Sequence, residues 1–240
     1  MRNSLVLVLL FATYFSFGQN GSEILIKANR ATLERNYAEA ITLYKQYINL
    51  HPEDYRGYFN LGTTQYNNKQ FTASKNSFTT CLSFNPYYKE AYYYRGLCNV
   101  QLKQYNLAIK DYNFVLDKDS FNVPFLKLRA EVYTLTNENN LALKDLDQAV
   151  SVNKYSGDLY KQRAKLKVKL KDINGALHDY NSLEHLQPKY KMVHYIKGNL
   201  FLELDDEEFA CEEFQKAIDN KIYVAERAYN KICVRDTTGN

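Results

Sequence analysis

Small side chains recur every 34 residues along this chain, at Ala40, Ser74, Ala108, Ala142, Ala176 and Ala210. A second series, Ala28, Gly62, Gly96, Ala130, Ala164 and Gly198, keeps the same period and precedes the first by twelve positions. A fixed period of this length means one supersecondary unit copied in tandem, each copy burying its apolar face against the next. The two series mark where paired helices must approach closely. A bulky ring stands four residues after the first series, at Tyr44, Phe78, Tyr112, Tyr180 and Phe214, with Leu146 as the only aliphatic substitute. Dense interiors need large groups to fill what small groups open. Ring and small residue should therefore face one another.

Between the two series lies a polar turn, which an aromatic closes in three copies: Arg35-Asn36-Tyr37, Lys69-Gln70-Phe71 and Lys103-Gln104-Tyr105. Pro52, Pro86 and Pro188 share one position just past the second helix, where a ring without an N–H stops the helix. Pro124 falls instead in a first turn, where its fixed φ is an advantage. With helix, turn, helix as the unit, six copies run without insertion: 21–54, 55–88, 89–122, 123–156, 157–190 and 191–224.

These residues resemble the tetratricopeptide repeat, whose 34-residue unit carries a similar pattern of small and aromatic positions. The resemblance covers residues 21–224 and departs from the family pattern at the leading aromatic, which is Ile24, Leu126 and His194 in units one, four and six. It implies an all-α fold, a right-handed superhelical solenoid of six helix-turn-helix repeats. Residues 222–234, with Ala225, Ala228, Tyr229 and Ile232 on one stripe, read as a C-terminal capping helix. Residues 235–240 read as a tail.

Only 9 Gly and 4 Pro punctuate 240 residues, which favours long helices with short turns. Tyr supplies 22 positions and Trp none, so large rings with hydroxyls at the edge of the interior are expected. The formal charge of +4 comes from 31 basic and 27 acidic residues without a Lys/Arg run, so nucleic acid is not implied. Residues 1–18, with Arg2, an apolar stretch from Leu5 to Ala12 and small residues at Ser16 and Gly18, read as a signal peptide. The repeat domain is then 19–234. No later stretch approaches the ~20 apolar residues of a membrane span, so no transmembrane segment is expected in the mature chain. The expected location is exported, periplasmic or extracellular.

Arg95, Arg129 and Arg163 recur 34 apart, and Asp111, Asp145 and Asp179 follow sixteen residues after each. In unit six the same two places hold Lys197 and Glu213; in unit two they hold Leu61 and Ser77. Positions that exchange or lose charge together are partners, so these are expected to be structural ion pairs between neighbouring helices. Unit one, with Lys27 and Leu43, breaks the pattern. Among the four cysteines, Cys211 and Cys233 flank the junction with the closing helix and are the candidate disulfide, while Cys81 and Cys98 read as buried thiols.

The family resemblance also implies a concave groove lined by the first helices. Its groove places fall on Phe59, Thr63, Tyr66 and Asn67, then on Tyr93, Leu97 and Gln101, an aromatic end. Lys127 and Glu131 follow in unit four, and Lys161, Lys165 and Lys169 lie along one face of unit five, a basic end. The family's carboxylate clamp is incomplete: Asn29 and Asn60 match, but Leu25, Glu90 and Tyr94 stand where basic residues are wanted. No nucleophile elbow or phosphate loop occurs. The scattered His51, His178, His185 and His194 read as exposed or capping, and the cluster Asp205 to Glu208 as a solvated turn. The expectation is a non-enzymatic scaffold without cofactor or metal that binds a protein or peptide partner. Carbohydrate capture through Phe59, Tyr66 and Tyr93, or membership of an outer-membrane complex, is the alternative.

Overall fold

The computed structural model describes residues 21–234, so the expected signal peptide and tail lie outside it. The described residues form thirteen helices and no strand. The first repeat contributes α1 (21–33) and α2 (Tyr37–Leu50), the second α3 (Tyr55–Asn67) and α4 (Phe71–Phe84), and the third α5 (Lys89–Gln101) and α6 (Tyr105–Leu116). The fourth holds α7 (Val123–Leu135) and α8 (Asn139–Val152), and the fifth α9 (Gly157–Lys169) and α10 (Ile173–Leu186). The sixth holds α11 (Met192–Leu202) and α12 (Glu207–Asp219), followed by the closing helix α13 (Val224–Ile232). The chain divides into two compact units, the first ending at Ser120 and the second starting at Phe121. Within each, helices pack against their neighbours in chain order.

The small-residue series set how near those helices come. Ala40, Ser74, Ala108, Ala142, Ala176 and Ala210 are all fully buried. Ser74 donates its hydroxyl to the Gly62 carbonyl at 2.7 Å, a direct tie between the two series. A methyl group added to Gly62 would stand 2.8 Å from the Phe78 ring, and one added to Gly198 would stand 2.5 Å from the Phe214 ring. At Gly96 the Tyr112 ring closes the space in the same way. Each of these glycines is a seat for the ring of its own repeat, and a Cβ added there would require that ring to shift.

The turn inside every repeat contains one non-glycine residue in the left-handed region: Arg35, Lys69, Lys103, Asn137, Lys171 and Asp205, with φ between 58 and 65°. The backbone reason is a recurring helix C-terminus. In repeat two the Gln70 N–H donates to the Gln65 carbonyl at 2.8 Å and the Lys69 N–H to Tyr66 at 2.9 Å. This bond pair, which caps orphan carbonyls, requires a left-handed residue between helix and exit. The same pairing recurs in repeats four and five, where Glu138 donates to Tyr133 and Asp172 to Lys167. Asp54, Asp172 and Asp206 then cap the helices that follow them through side-chain oxygens.

The closing helix is shorter than the 222–234 expected. Ile222 belongs to the preceding turn, where its N–H donates to Ala217 after Lys221 enters the left-handed region at φ 64°. Ala225, Ala228, Tyr229 and Ile232 of α13 cover Ala210, Phe214 and Ala217 of α12. Cys211 and Cys233 are bonded, tying α12 to the end of α13. Cys81 and Cys98 are free and buried, and burial pushes the Cys81 thiol up to about 12, so it behaves as a small apolar filler.

Candidate binding surfaces on the first helices

Four charge pairs join the two helices of repeats three to six. Arg95 meets Asp111 at 2.6 Å, Arg129 meets Asp145 at 2.7 Å, and Arg163 meets Asp179 at 2.6 Å. Each arginine lies on a first helix and each aspartate on the second helix of the same repeat. All three carboxylates are buried, and the guanidiniums bind them through two nitrogens. This geometry offsets the desolvation that an isolated buried carboxylate would suffer. In repeat six Lys197 reaches Glu213 at 3.1 Å and Glu184 at 2.8 Å. In repeat one Lys27 pairs with exposed Glu23 instead.

His194 differs from the sequence expectation of an exposed or capping residue. It is buried, and its Nδ1 lies 2.8 Å from Glu213. It stands where repeats two, three and five place an aromatic ring, and the imidazole gives Glu213 a partner. Burial pushes the Glu213 carboxyl up, but hydrogen bonds from His194 and Lys216, with Lys197, outweigh this and leave it below its ordinary value.

In the first unit the expected aromatic end is a network of rings packed on one another. Phe59 lies half-buried with ring centroids 4.9 Å from Tyr88, 5.7 Å from Phe78 and 5.8 Å from Tyr94. Tyr66 sits between Phe71 at 5.5 Å and Tyr94 at 5.8 Å, and Tyr93 lies edge-on to Tyr94 at 5.1 Å. Tyr94 is the hub, stacked on Phe78 at 5.5 Å and 14°. Burial raises both the Tyr66 and Tyr94 phenols. Sequence reasoning placed Tyr94 only as a mismatch to a clamp position. Its spacing of sixteen from Phe78 was the available signal, being the spacing that joins a second helix to the next first helix. Of the remaining places, Thr63 turns its hydroxyl to the Asn60 carbonyl, Leu97 is half-buried, and Asn67 and Gln101 are exposed at the helix ends.

In the second unit the expected basic end surrounds a cleft of about 440 Å³ between α7 and α9. Its floor is Ala130, Leu146 and Leu166, with Leu135 to one side. Glu131, Gln162, Lys165 and Lys169 form the rim. Three of the expected groove residues, Glu131, Lys165 and Lys169, thus converge on one space. The other two lysines are engaged elsewhere: Lys127 pairs with Asp158 at 2.6 Å, and Lys161 lies over the Tyr190 ring at 4.3 Å. Lys169 donates to the Asn137 side chain at 3.0 Å. Lys165 is exposed and has no ion-pair or hydrogen-bond partner among the described residues. Partial desolvation raises the Glu131 carboxyl above its ordinary value, with Lys127 opposing the shift.

Among the described residues no group of three His, Cys, Asp or Glu is placed to hold a metal ion, and no helix is long and apolar enough to cross a membrane. Residues 55–88 match the family model of the tetratricopeptide repeat. No curated protein matches the chain. Among solved structures, the C-terminal part of a TPR repeat-containing protein from Cytophaga hutchinsonii is similar at TM-score 0.78 and 16% identity, covering 88% of this chain and 89% of that one. A tetratricopeptide repeat protein from Parabacteroides merdae reaches TM-score 0.71 at 19% identity, covering 88% and 86%. YrrB, described as a TPR protein with an unusual peptide-binding site, reaches 0.64 at 20% identity, covering 77% of this chain and 96% of its own.

Proposed function

Because this chain is a tetratricopeptide-repeat protein by its fold and by its second repeat, we propose that it acts as a non-catalytic scaffold that holds a segment of a partner protein. The first-helix face of the second unit is the holding surface. The observation that carries this reading is the cleft between α7 and α9, where an apolar floor lies beneath rim lysines. Pockets that bind ligands combine these features, an apolar body for affinity and a few polar groups for orientation. The likeness to YrrB, a protein with a peptide-binding site, supports a peptide as the occupant.

Export to the periplasm or cell exterior is part of the proposal. The disulfide between Cys211 and Cys233 supports it, because such bonds persist in oxidising compartments. The carbohydrate reading draws no support from Phe59, Tyr66 and Tyr93, each of which packs against another ring of the same unit.

Crosslinking in the native envelope followed by pull-down of the mature chain tests the proposal. The expected result is a partner that is captured by the wild type and lost when Lys161, Lys165 and Lys169 are all changed to Glu. An unchanged set of captured proteins would overturn it.

A further inference from the structure

The cleft of the second unit and the ring hub of the first occupy the same place in the repeat. Two 34-residue steps carry Tyr66 to Thr134, Phe78 to Leu146 and Tyr94 to Gln162. Tyr94 touches the other two rings, lying 5.8 Å from Tyr66 and 5.5 Å from Phe78. Thr134, Leu146 and Gln162 instead line the open space. The helices keep their stride in both places, because the small residues that set it, Gly62 with Ser74 and Ala130 with Ala142, are buried alike. The cleft therefore opens at the place in the repeat where the other unit gathers three rings, above Leu146, which is itself buried.

Its surroundings define what could fill it. The floor made by Ala130, Leu146 and Leu166 offers no hydrogen bond from a side chain. Water there is displaced favourably by an apolar group. On the α9 side Lys165 is unpartnered and Lys169 is held only by a neutral amide. On the α7 side Glu131 disfavours a second carboxylate. The charge is thus complementary to an anion on one side of the occupant only.

We infer that the cleft receives an aromatic side chain of the partner segment, with a carboxylate beside it that meets Lys165 and Lys169. This rests on the scaffold function proposed above and names the chemistry that the second unit recognises. The ring takes the place of the in-chain rings of the first unit, and the carboxylate sets the direction of the segment.

The test uses the mature chain with labelled leucine methyl groups and the probe N-acetyl-Gly-Phe-Asp-Asp-amide at millimolar concentration. Leu146 and Leu166 signals should shift on titration. A probe with Ala for Phe should bind at least about tenfold more weakly, the loss typical of deleting a buried anchor. Leu146→Phe supplies a ring from within and should abolish the shifts of Leu166, with the thermal transition showing that the variant is folded. Lys165→Glu, at an exposed position and with its fold checked by the same thermal transition, should weaken the probe by about fivefold or more through lost and reversed attraction. No shift with the Phe probe, equal affinity for the Ala probe, or unchanged binding by folded Leu146→Phe or by Lys165→Glu would overturn the inference. A partner that still depends on the three lysines in the pull-down would then leave the scaffold reading standing, so the two failures are separable.

Discussion

Repeats two and four share a backbone plan and differ in what holds it together. In repeat two Phe78 lies over Gly62, Leu61 joins the core and Ser77 donates to Gln65 at 2.7 Å, so no charge enters the helix pair at these places. In repeat four Leu146 and Ala130 share a cluster with Leu166, and the places of Leu61 and Ser77 hold Arg129 and Asp145. One repeat is closed by rings and neutral hydrogen bonds, and the other by an ion pair beside an open cleft. The lesson is that the buried small residues fix helix spacing, which leaves the ring position free to be filled from the chain or left for a partner.

The largest expected difference follows from the ring position itself. Phe78→Ala removes a fully buried ring and should destabilise the protein by about 4 kcal/mol in urea unfolding. Leu146→Ala should cost less, about 2 kcal/mol, because it removes a smaller buried side chain that has the cleft on one side. Equal losses would break the comparison, since they would mean that Leu146 is packed on all sides.

The charge pair should separate the repeats next. Arg129→Met leaves Asp145 buried beside an apolar side chain and should cost about 3 kcal/mol, whereas Arg129→Met with Asp145→Leu should return to within about 1 kcal/mol of wild type. The neutral counterpart, Ser77→Ala, removes one hydrogen bond and should cost about 1 kcal/mol. Thermal transitions of the four proteins decide it; a double variant no more stable than Arg129→Met would show that the two charges do not act as a pair.

Most of this frame was legible from spacing. The 34-residue period placed every helix pair, and the exchange of Arg/Asp for Lys/Glu and for Leu/Ser identified which charges are coupled, because partners change together. The substitution of Leu146 for a ring was also visible, but its consequence was not: a single position reveals an empty volume only when Thr134 and Gln162 are seen to be small or polar around it. Tyr94 and His194 escaped for a related reason. Tyr94 acts through a contact between successive repeats, and His194 through a hydrogen bond to Glu213 that its place in the repeat pattern does not announce.

Filling the cleft sharpens the contrast with a smaller effect. Leu146→Phe should raise stability by about 1 kcal/mol, as cavity-filling changes commonly do. A loss would mean that the walls cannot take a ring without strain, and the comparison with Phe78 would then fail on geometry.

The turns offer the finest test, because repeats two and four enter the same left-handed conformation with different residues. Lys69, at φ 59°, carries the steric cost of a long side chain in that region, while Asn137, at φ 63°, belongs to a residue type that tolerates it. Lys69→Gly should therefore stabilise by about 1 kcal/mol, after the greater freedom of glycine in the unfolded chain is set against the relief. Asn137→Gly should gain no more than a few tenths of a kcal/mol, and it also forfeits the hydrogen bond from Lys169 at 3.0 Å. The backbone bonds that demand the conformation, Gln70 to Gln65 and Glu138 to Tyr133, are both 2.8 Å and are retained in either variant. Equal gains at the two turns would mean that side-chain tolerance of the left-handed region does not distinguish them. In that event the difference between the repeats resides wholly in the ring position and the charge pair.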